Sequence, residues 1–208
     1  MHFADNNRSM AVQSTMLALG TSAPDFALPE ISSGRPVRLI DFQERRALLV
    51  VFLCAHCPYV LHVLPELARL GDEYPVKGVG IVGITSNDVA QYPQDAPAHV
   101  AALARKEGLK FPILYDQSQS VAKAFTAACT PDFFLFDQVK RLAYRGQLDG
   151  SRPARDSGRP ASGALDGSDI RAALDAVLAG WPPNPDQRPS VGCGIKWKQG
   201  NEPAYFVP

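Results

Sequence analysis

Apolar positions along the chain fall into two unbroken runs and several periodic ones. Ala47 to Leu53 reads Ala-Leu-Leu-Val-Val-Phe-Leu, and Val79 to Thr85 is a second apolar run. Runs of this kind mark strands covered on both faces, as in a parallel sheet layered by helices. Between them, Val60, Leu61, Val63, Leu64, Leu67, Ala68 and Leu70 recur at helical spacing and give one wide apolar face. Pro58 suits the first turn of that helix, and Pro65 falls inside it and should kink it. The pattern then predicts a helix over 96–107, a strand over 111–114 and a short helix over 118–125. Strands follow at 132–136 and 142–144, with a turn near 138–140. Val37 to Ile40 reads as a short strand. Ser168 is the expected N-cap of a last helix to Leu178, ended by Gly180 and Pro182. This alternation argues for a single α/β domain with a central sheet flanked by helices.

Domain limits follow from polarity and punctuation. Residues 1–20 read as a loose N-terminal arm, residues 21–180 as the domain, and residues 181–208, with six prolines, as a C-terminal tail. Residues 149–167 are rich in Gly, Ser, Arg and Asp and read as irregular. Asp149, Arg145 and Arg152 are expected to be solvated or locally paired charges. Met10 and Met16 can each be read as an alternative start, and the sequence alone does not choose between them.

Composition narrows the function. Of 208 residues, 46% are apolar, which excludes disorder throughout. Basic and acidic residues balance at 21 each, without a basic stripe, which argues against a nucleic-acid partner. The apolar runs are too short to span a bilayer, which argues against a membrane partner, and Met1 to Ser9 is polar and unlike a secretory signal. The expected location is therefore the cytoplasm. Four cysteines in a reducing compartment point to redox, catalytic or metal roles.

The segment Cys54-Ala-His-Cys57-Pro58-Tyr59 joins the first buried strand to the first helix. Cys57 falls at the expected helix start, where unpaired N–H groups and the helix dipole favour a thiolate, the reactive form of cysteine. His56, if protonated, would add to this effect, although spacing alone leaves it equally readable as an exposed loop residue. Cys54 can also be read as a small apolar residue at a strand end. Cys129 is evenly balanced between packing and redox work, and Cys193 reads first as a tail residue. His62 is expected on the surface. His2 and His99 have no partner in view.

These features resemble the thioredoxin-like, redoxin (AhpC/TSA-like) superfamily. Ala-Pro-Asp-Phe at 23–26 is similar to its opening segment, and a buried strand leads into a cysteine at a helix start. Pro65, eight residues after Cys57, matches the helix-kinking proline of thioredoxin. Thr130-Pro131 is similar to its cis-proline loop. With the tail Gly-Cys-Gly-Ile-Lys-Trp-Lys at 192–198, the chain resembles the branch described as thioredoxin family protein or probable thiol–disulfide isomerase. The resemblance implies a thioredoxin-like fold and thiol–disulfide exchange at Cys57. It also implies a substrate site around Thr130, Pro131, His56 and Pro58, no cofactor and no resident metal. Partners would be protein or small-molecule thiols and disulfides, and a homodimer stays open.

Two registers fit the active segment. Without gaps, Cys57 is the attacking cysteine and Val60 stands where thioredoxin has its second thiol. With a gap, Cys54 takes the helix start and Cys57 lies one turn in. In the first register Cys54 can bond to Cys57 only if the strand has ended by Ala55, because a disulfide needs Cα atoms about 4.4–6.8 Å apart. Cys54 ranks first as the resolving thiol, followed by Cys129 and then Cys193. Two other functions compete. A peroxiredoxin-like thiol peroxidase would oxidise Cys57 to a sulfenic acid, but Cys54 and Val50 stand where the Pro-x-x-x-Thr-x-x-Cys pattern has Thr and Pro. A copper- or zinc-binding module would use Cys54, Cys57 and His56 or His62, but the Cys-x-x-x-Cys spacing of redoxin-fold copper chaperones is missing.

Overall fold

The structure, a computed structural model, describes residues 11–154, 158 and 160–206. In chain order the elements begin with the short strands β1 (Ala11–Gln13), β2 (Ala27–Pro29) and β3 (Pro36–Arg38). Next come β4 (Ala47–Phe52), α1 (Pro58–Glu73), β5 (Val79–Thr85), α2 (Pro97–Lys106), β6 (Ile113–Tyr115) and α3 (Ser120–Ala124). The chain continues through β7 (Cys129–Thr130), β8 (Asp132–Phe136), β9 (Leu142–Gly146), α4 (Ser168–Leu178) and β10 (Val191–Gly194). The central sheet has strand order β6-β5-β4-β8-β9, with β4, β5 and β6 parallel and β8 and β9 antiparallel. This is a thioredoxin-like fold.

Both faces of the sheet are covered, which is why β4 has no polar position. Leu49 and Val51 meet Leu64 and Leu67 of α1 and Ile170 and Leu174 of α4. Leu48, Val50 and Phe52 face the other way, onto Phe125, Phe134 and Phe136. Phe52 and Phe125 meet edge to face with centroids 5.4 Å apart, an arrangement favoured by the ring quadrupoles. Glu66 is buried between α1 and α4 and pairs with Arg171 at 2.6 Å and with Arg69. Among the described residues, no helix is long and apolar enough to cross a membrane.

Several expectations need correction. The N-cap of α4 is Gly167, at φ +63°, and Ser168 is its first helical residue. A β-carbon at Gly167 would stand 2.6 Å from Glu66 Oε1, so the buried glutamate leaves room only for glycine. Asp149 is not solvated, and among the described residues no cation pairs with it. It is buried and accepts the backbone N–H groups of Ser151, Asp166 and Gly167, which ties the two ends of this segment together. Val37 to Ile40 is a strand only as far as Arg38 and then turns into a 3-10 helix.

The largest difference is at the two ends. The expected loose arm lies outside the described residues up to position 10, as does His2, but from Ala11 it forms β1. The expected irregular tail contains β10, which lies between β1 and β7 in a second, three-stranded antiparallel sheet. Beyond it, Ile195 and Trp197 are buried in the aromatic core. Side chains stitch this segment down: Asn87 Oδ1 accepts from Lys196 N–H at 2.9 Å, and Gln119 Nε2 donates to the Lys196 carbonyl at 2.9 Å.

Candidate active site

Strand β4 ends at Phe52, and the chain turns through Leu53 to His56 before Cys57 becomes the N-cap of α1. Pro58 holds the first helical position, where its missing N–H costs nothing. The ungapped register is therefore the observed one, with Cys57 at the helix start. Because the strand stops before Ala55, the condition for pairing Cys54 with Cys57 is also met.

Cys57 is wholly buried, contrary to its expected position at an open helix start, because β10 lies over it and packs against α1. Its Sγ lies 3.1 Å from the Thr130 carbonyl, which it reaches as a donor while protonated. The surroundings favour the ionised form. Hydrogen bonds from the Cys193 and Cys54 thiols, joined by the backbone N–H groups of Val60 and Cys193, outweigh burial and hold the Cys57 thiol far below the usual cysteine range. Val60 supplies one of the unpaired amides of the first helical turn. Cys54 shifts the opposite way. Its bond to Cys57, its burial and the nearby Asp95 charge raise its pKa, so it keeps its proton. Cys54 Sγ also lies 3.3 Å from Thr130 Oγ1.

The Thr130–Pro131 peptide is cis. On β7, Thr130 turns its side chain toward Cys54. Its neighbour Cys129 points to the opposite face, as successive strand residues must. Cys129 Sγ instead meets the Pro131 carbonyl at 3.6 Å, and burial raises its pKa. The order of resolving candidates thus changes: Cys193, not Cys129, joins Cys54 beside Cys57. The edge of β7 that the resemblance assigns to substrate is paired to β10, with Cys193 opposite Thr130.

His56 is tied to a residue the sequence did not single out. Its Nδ1 lies 2.6 Å from Asp95 Oδ2, and its ring stacks on Tyr92 with centroids 5.8 Å apart. Asp95 is fully buried. Its Oδ1 accepts the Ala55 and His56 N–H groups at 2.8 and 3.3 Å, and its Oδ2 accepts from Asn87 Nδ2 at 2.7 Å. Burial pushes its pKa up, but the bonds from His56 and Asn87 prevail and hold it below the ordinary value. Asn87 also holds the tail at Lys196, so one network links the cysteine loop to the tail. Ser86-Asn87-Asp88, directly after the buried run 79–85, was a readable signal, since ligands of α/β sheets gather at the carboxyl ends of strands. Asp95 had no such signal.

Donor atoms of Cys54, His56 and Asp95 lie within 4.8 Å of one another. Both Asp95 oxygens are already engaged, so the carboxylate positions the loop and has no open lone-pair direction for a cation. His62 is half-buried on α1, with Nε2 2.9 Å from Ser151 Oγ, and His99 Nδ1 meets the Pro93 carbonyl at 3.0 Å.

A cysteine at a helix start, beside a cis-proline loop on a mixed five-stranded sheet, defines a thioredoxin-like thiol protein. The Redoxin family model matches residues 18–159, and the chain belongs to that family. It is similar to the crystal structure of an uncharacterized conserved protein from Geobacillus kaustophilus. The identity is 49% and the TM-score 0.85, over 91% of this chain and 97% of that one. Peroxiredoxin Bcp of Escherichia coli K12 is 29% identical over 136 residues, which is 64% of this chain and 81% of that protein. Thiol-disulfide oxidoreductase ResA of Geobacillus thermodenitrificans is 29% identical over 133 residues, 62% of this chain and 71% of that protein. The chain is thus an oxidoreductase of the redoxin kind.

Proposed function

We propose that this chain is a cytoplasmic thiol–disulfide oxidoreductase in which Cys57 is the attacking thiol. The observation that carries the reading is the place of Cys57 as the N-cap of α1, beside the cis Thr130–Pro131 peptide, with the Cys54 and Cys193 thiols and the Val60 and Cys193 amides as donors to its sulfur. Such donors favour the thiolate, and the thiolate is the nucleophile. Cys57 attacks a substrate disulfide, one sulfur stays on Cys57 as a mixed disulfide, and the other leaves as a thiolate that takes up a proton. A neighbouring thiol then attacks Cys57 Sγ and releases the second substrate thiol. Cys54 stands within reach for this step. An external dithiol restores the reduced protein.

The resemblance to ResA supports disulfide substrates. A second reading, thiol peroxidase, is supported by the resemblance to Peroxiredoxin Bcp and by the enclosure of Cys57, which favours a small oxidant. Against it, Cys54 occupies the position of the peroxiredoxin threonine. Dithiol-coupled turnover of glutathione disulfide and of hydrogen peroxide, measured side by side on the full chain and on Cys57→Ser, separates the two. Disulfide turnover lost with Cys57 supports the main reading, and fast peroxide consumption without disulfide turnover supports the second.

A further inference from the structure

We propose that Cys193 is a disulfide partner of Cys57, presented by the chain's own C-terminal strand, so that the site works with three sulfurs. The inference rests on the reading of Cys57 as the attacking thiol and names a partner for it outside the Cys-x-x-Cys segment.

The placement of β10 carries the argument. Cys193 lies opposite Thr130 in the antiparallel pairing of β10 with β7, and the Thr130 carbonyl is the group that Cys57 Sγ touches. Both the thiol and the backbone N–H of Cys193 are directed at the Cys57 sulfur. The two strands approach so closely that the preceding residue must be glycine. A β-carbon at Gly192 would stand 2.0 Å from the Thr130 oxygen. On the far edge of β10, Ala11 of β1 is paired opposite Cys193. A strand paired on both edges, with Ile195 buried just beyond it, holds its cysteine at the site. Bond formation then draws two hydrogen-bonded sulfurs in to about 2.05 Å.

The chemistry balances. After Cys57 has taken up one half of a substrate disulfide, the Cys193 thiolate attacks Cys57 Sγ. The Cys57–Cys193 bond forms, the bond from Cys57 to the substrate sulfur breaks, and the departing thiolate takes up the proton that Cys193 gave up. Two electrons from an external dithiol return the pair to thiols. Cys54 is hydrogen-bonded to the same sulfur, so Cys57 has two alternative partners.

The test uses the full chain and the variants Cys54→Ser, Cys193→Ser and Cys54→Ser/Cys193→Ser. Each is reacted with glutathione disulfide and mapped by non-reducing peptide mass spectrometry. Cys54→Ser is expected to release its glutathione and yield a Cys57–Cys193 linked peptide. Its dithiol-coupled turnover is expected to fall no more than about tenfold. Only the double variant should hold glutathione on Cys57, with turnover lower by roughly a further hundredfold, as befits loss of an intramolecular attack. Glutathione that stays on Cys57 in Cys54→Ser as long as in the double variant overturns the partnership alone. Failure of Cys57 to take up glutathione in any variant overturns the partnership together with the reading beneath it. Cys54→Ser leaves β10 intact, so its result stands whatever the stability of the double variant.

Discussion

Gly192 faces the carbonyl of Thr130 so closely that a β-carbon on Gly192 would lie 2.0 Å from the oxygen and 2.6 Å from its carbon. The contact is backbone against backbone and cannot be relieved by turning a side chain. It seats the C-terminal strand on β7 and places the next residue, Cys193, against Cys57. The tail is thereby part of the active-site wall.

Replacing Gly192 by alanine should therefore lift β10 from β7. The overpacking is expected to cost about 1–3 kcal/mol. Because the covering strand is displaced, Cys57 should also become more open to reagents. Thermal unfolding and the rate of iodoacetamide labelling at Cys57 check the two effects together. A lowered midpoint with faster labelling is expected, and an unchanged labelling rate would show that β10 does not shield this sulfur.

Cys57 and Cys129 should respond in opposite ways. Cys57→Ser removes the nucleophile and should abolish dithiol-coupled disulfide turnover. Cys129 points to the other face of β7, bonded to the Pro131 carbonyl and raised in pKa by burial. Cys129→Ala should leave turnover within about twofold and cost roughly 1–2 kcal/mol of stability through lost packing. Steady-state kinetics and urea denaturation of both variants test the contrast.

The buried centre of the fold was legible because its residues carry local signals. The bounds 79–85 and 132–136 agree between pattern and structure, since each strand is buried on both faces and ends at a polar residue or a turn. Cys57 was legible as the helix start because Pro58 fixes the first turn. By contrast, β1 and β10 span three and four residues, and β10 carries two glycines. Neither has an alternation long enough to read, and each exists only through pairing with residues far along the chain. That is why Cys193 stood last among the resolving candidates although the fold sets it beside Cys57 together with Cys54. Asp95 escaped notice for the same reason: its partners lie about 40 positions earlier, at Ala55 and His56, and no spacing rule joins them.

Asp95 should matter to both the loop and its stability. Asp95→Ala leaves the Ala55 and His56 amides and Asn87 Nδ2 without their acceptor. Buried groups left unpaired cost about 1–3 kcal/mol each, less whatever water recovers. The pKa of Asp95 is lowered on folding, so its stabilising contribution is present above the ordinary aspartate value of about 3.9 and is lost as the pH falls through the folded value. Urea denaturation between pH 3 and pH 7 should show a weaker acid loss in the alanine variant than in the parent chain. Equal acid loss in both would mean that Asp95 is not the titrating group.

Asp132 should give the opposite pH dependence. It is fully buried beside Pro131, and burial pushes its pKa up to about 7, against the pull of hydrogen bonds from the Ala128 N–H and from Ser14 and Ser190. A raised folded value makes its contribution complete below the ordinary aspartate value of about 3.9 and progressively lost as the pH rises toward 7. Above that point the carboxylate is ionised in both states, and its burial is a cost that these hydrogen bonds offset only in part. Asp132→Asn keeps an acceptor for the Ala128 amide and removes the charge. Its stability relative to the parent should therefore improve between pH 5 and pH 8, by roughly 2–3 kcal/mol on the linkage relation. Denaturant midpoints at the two pH values measure this directly. A variant whose deficit or gain is the same at both would show that the Asp132 carboxyl does not titrate in this range.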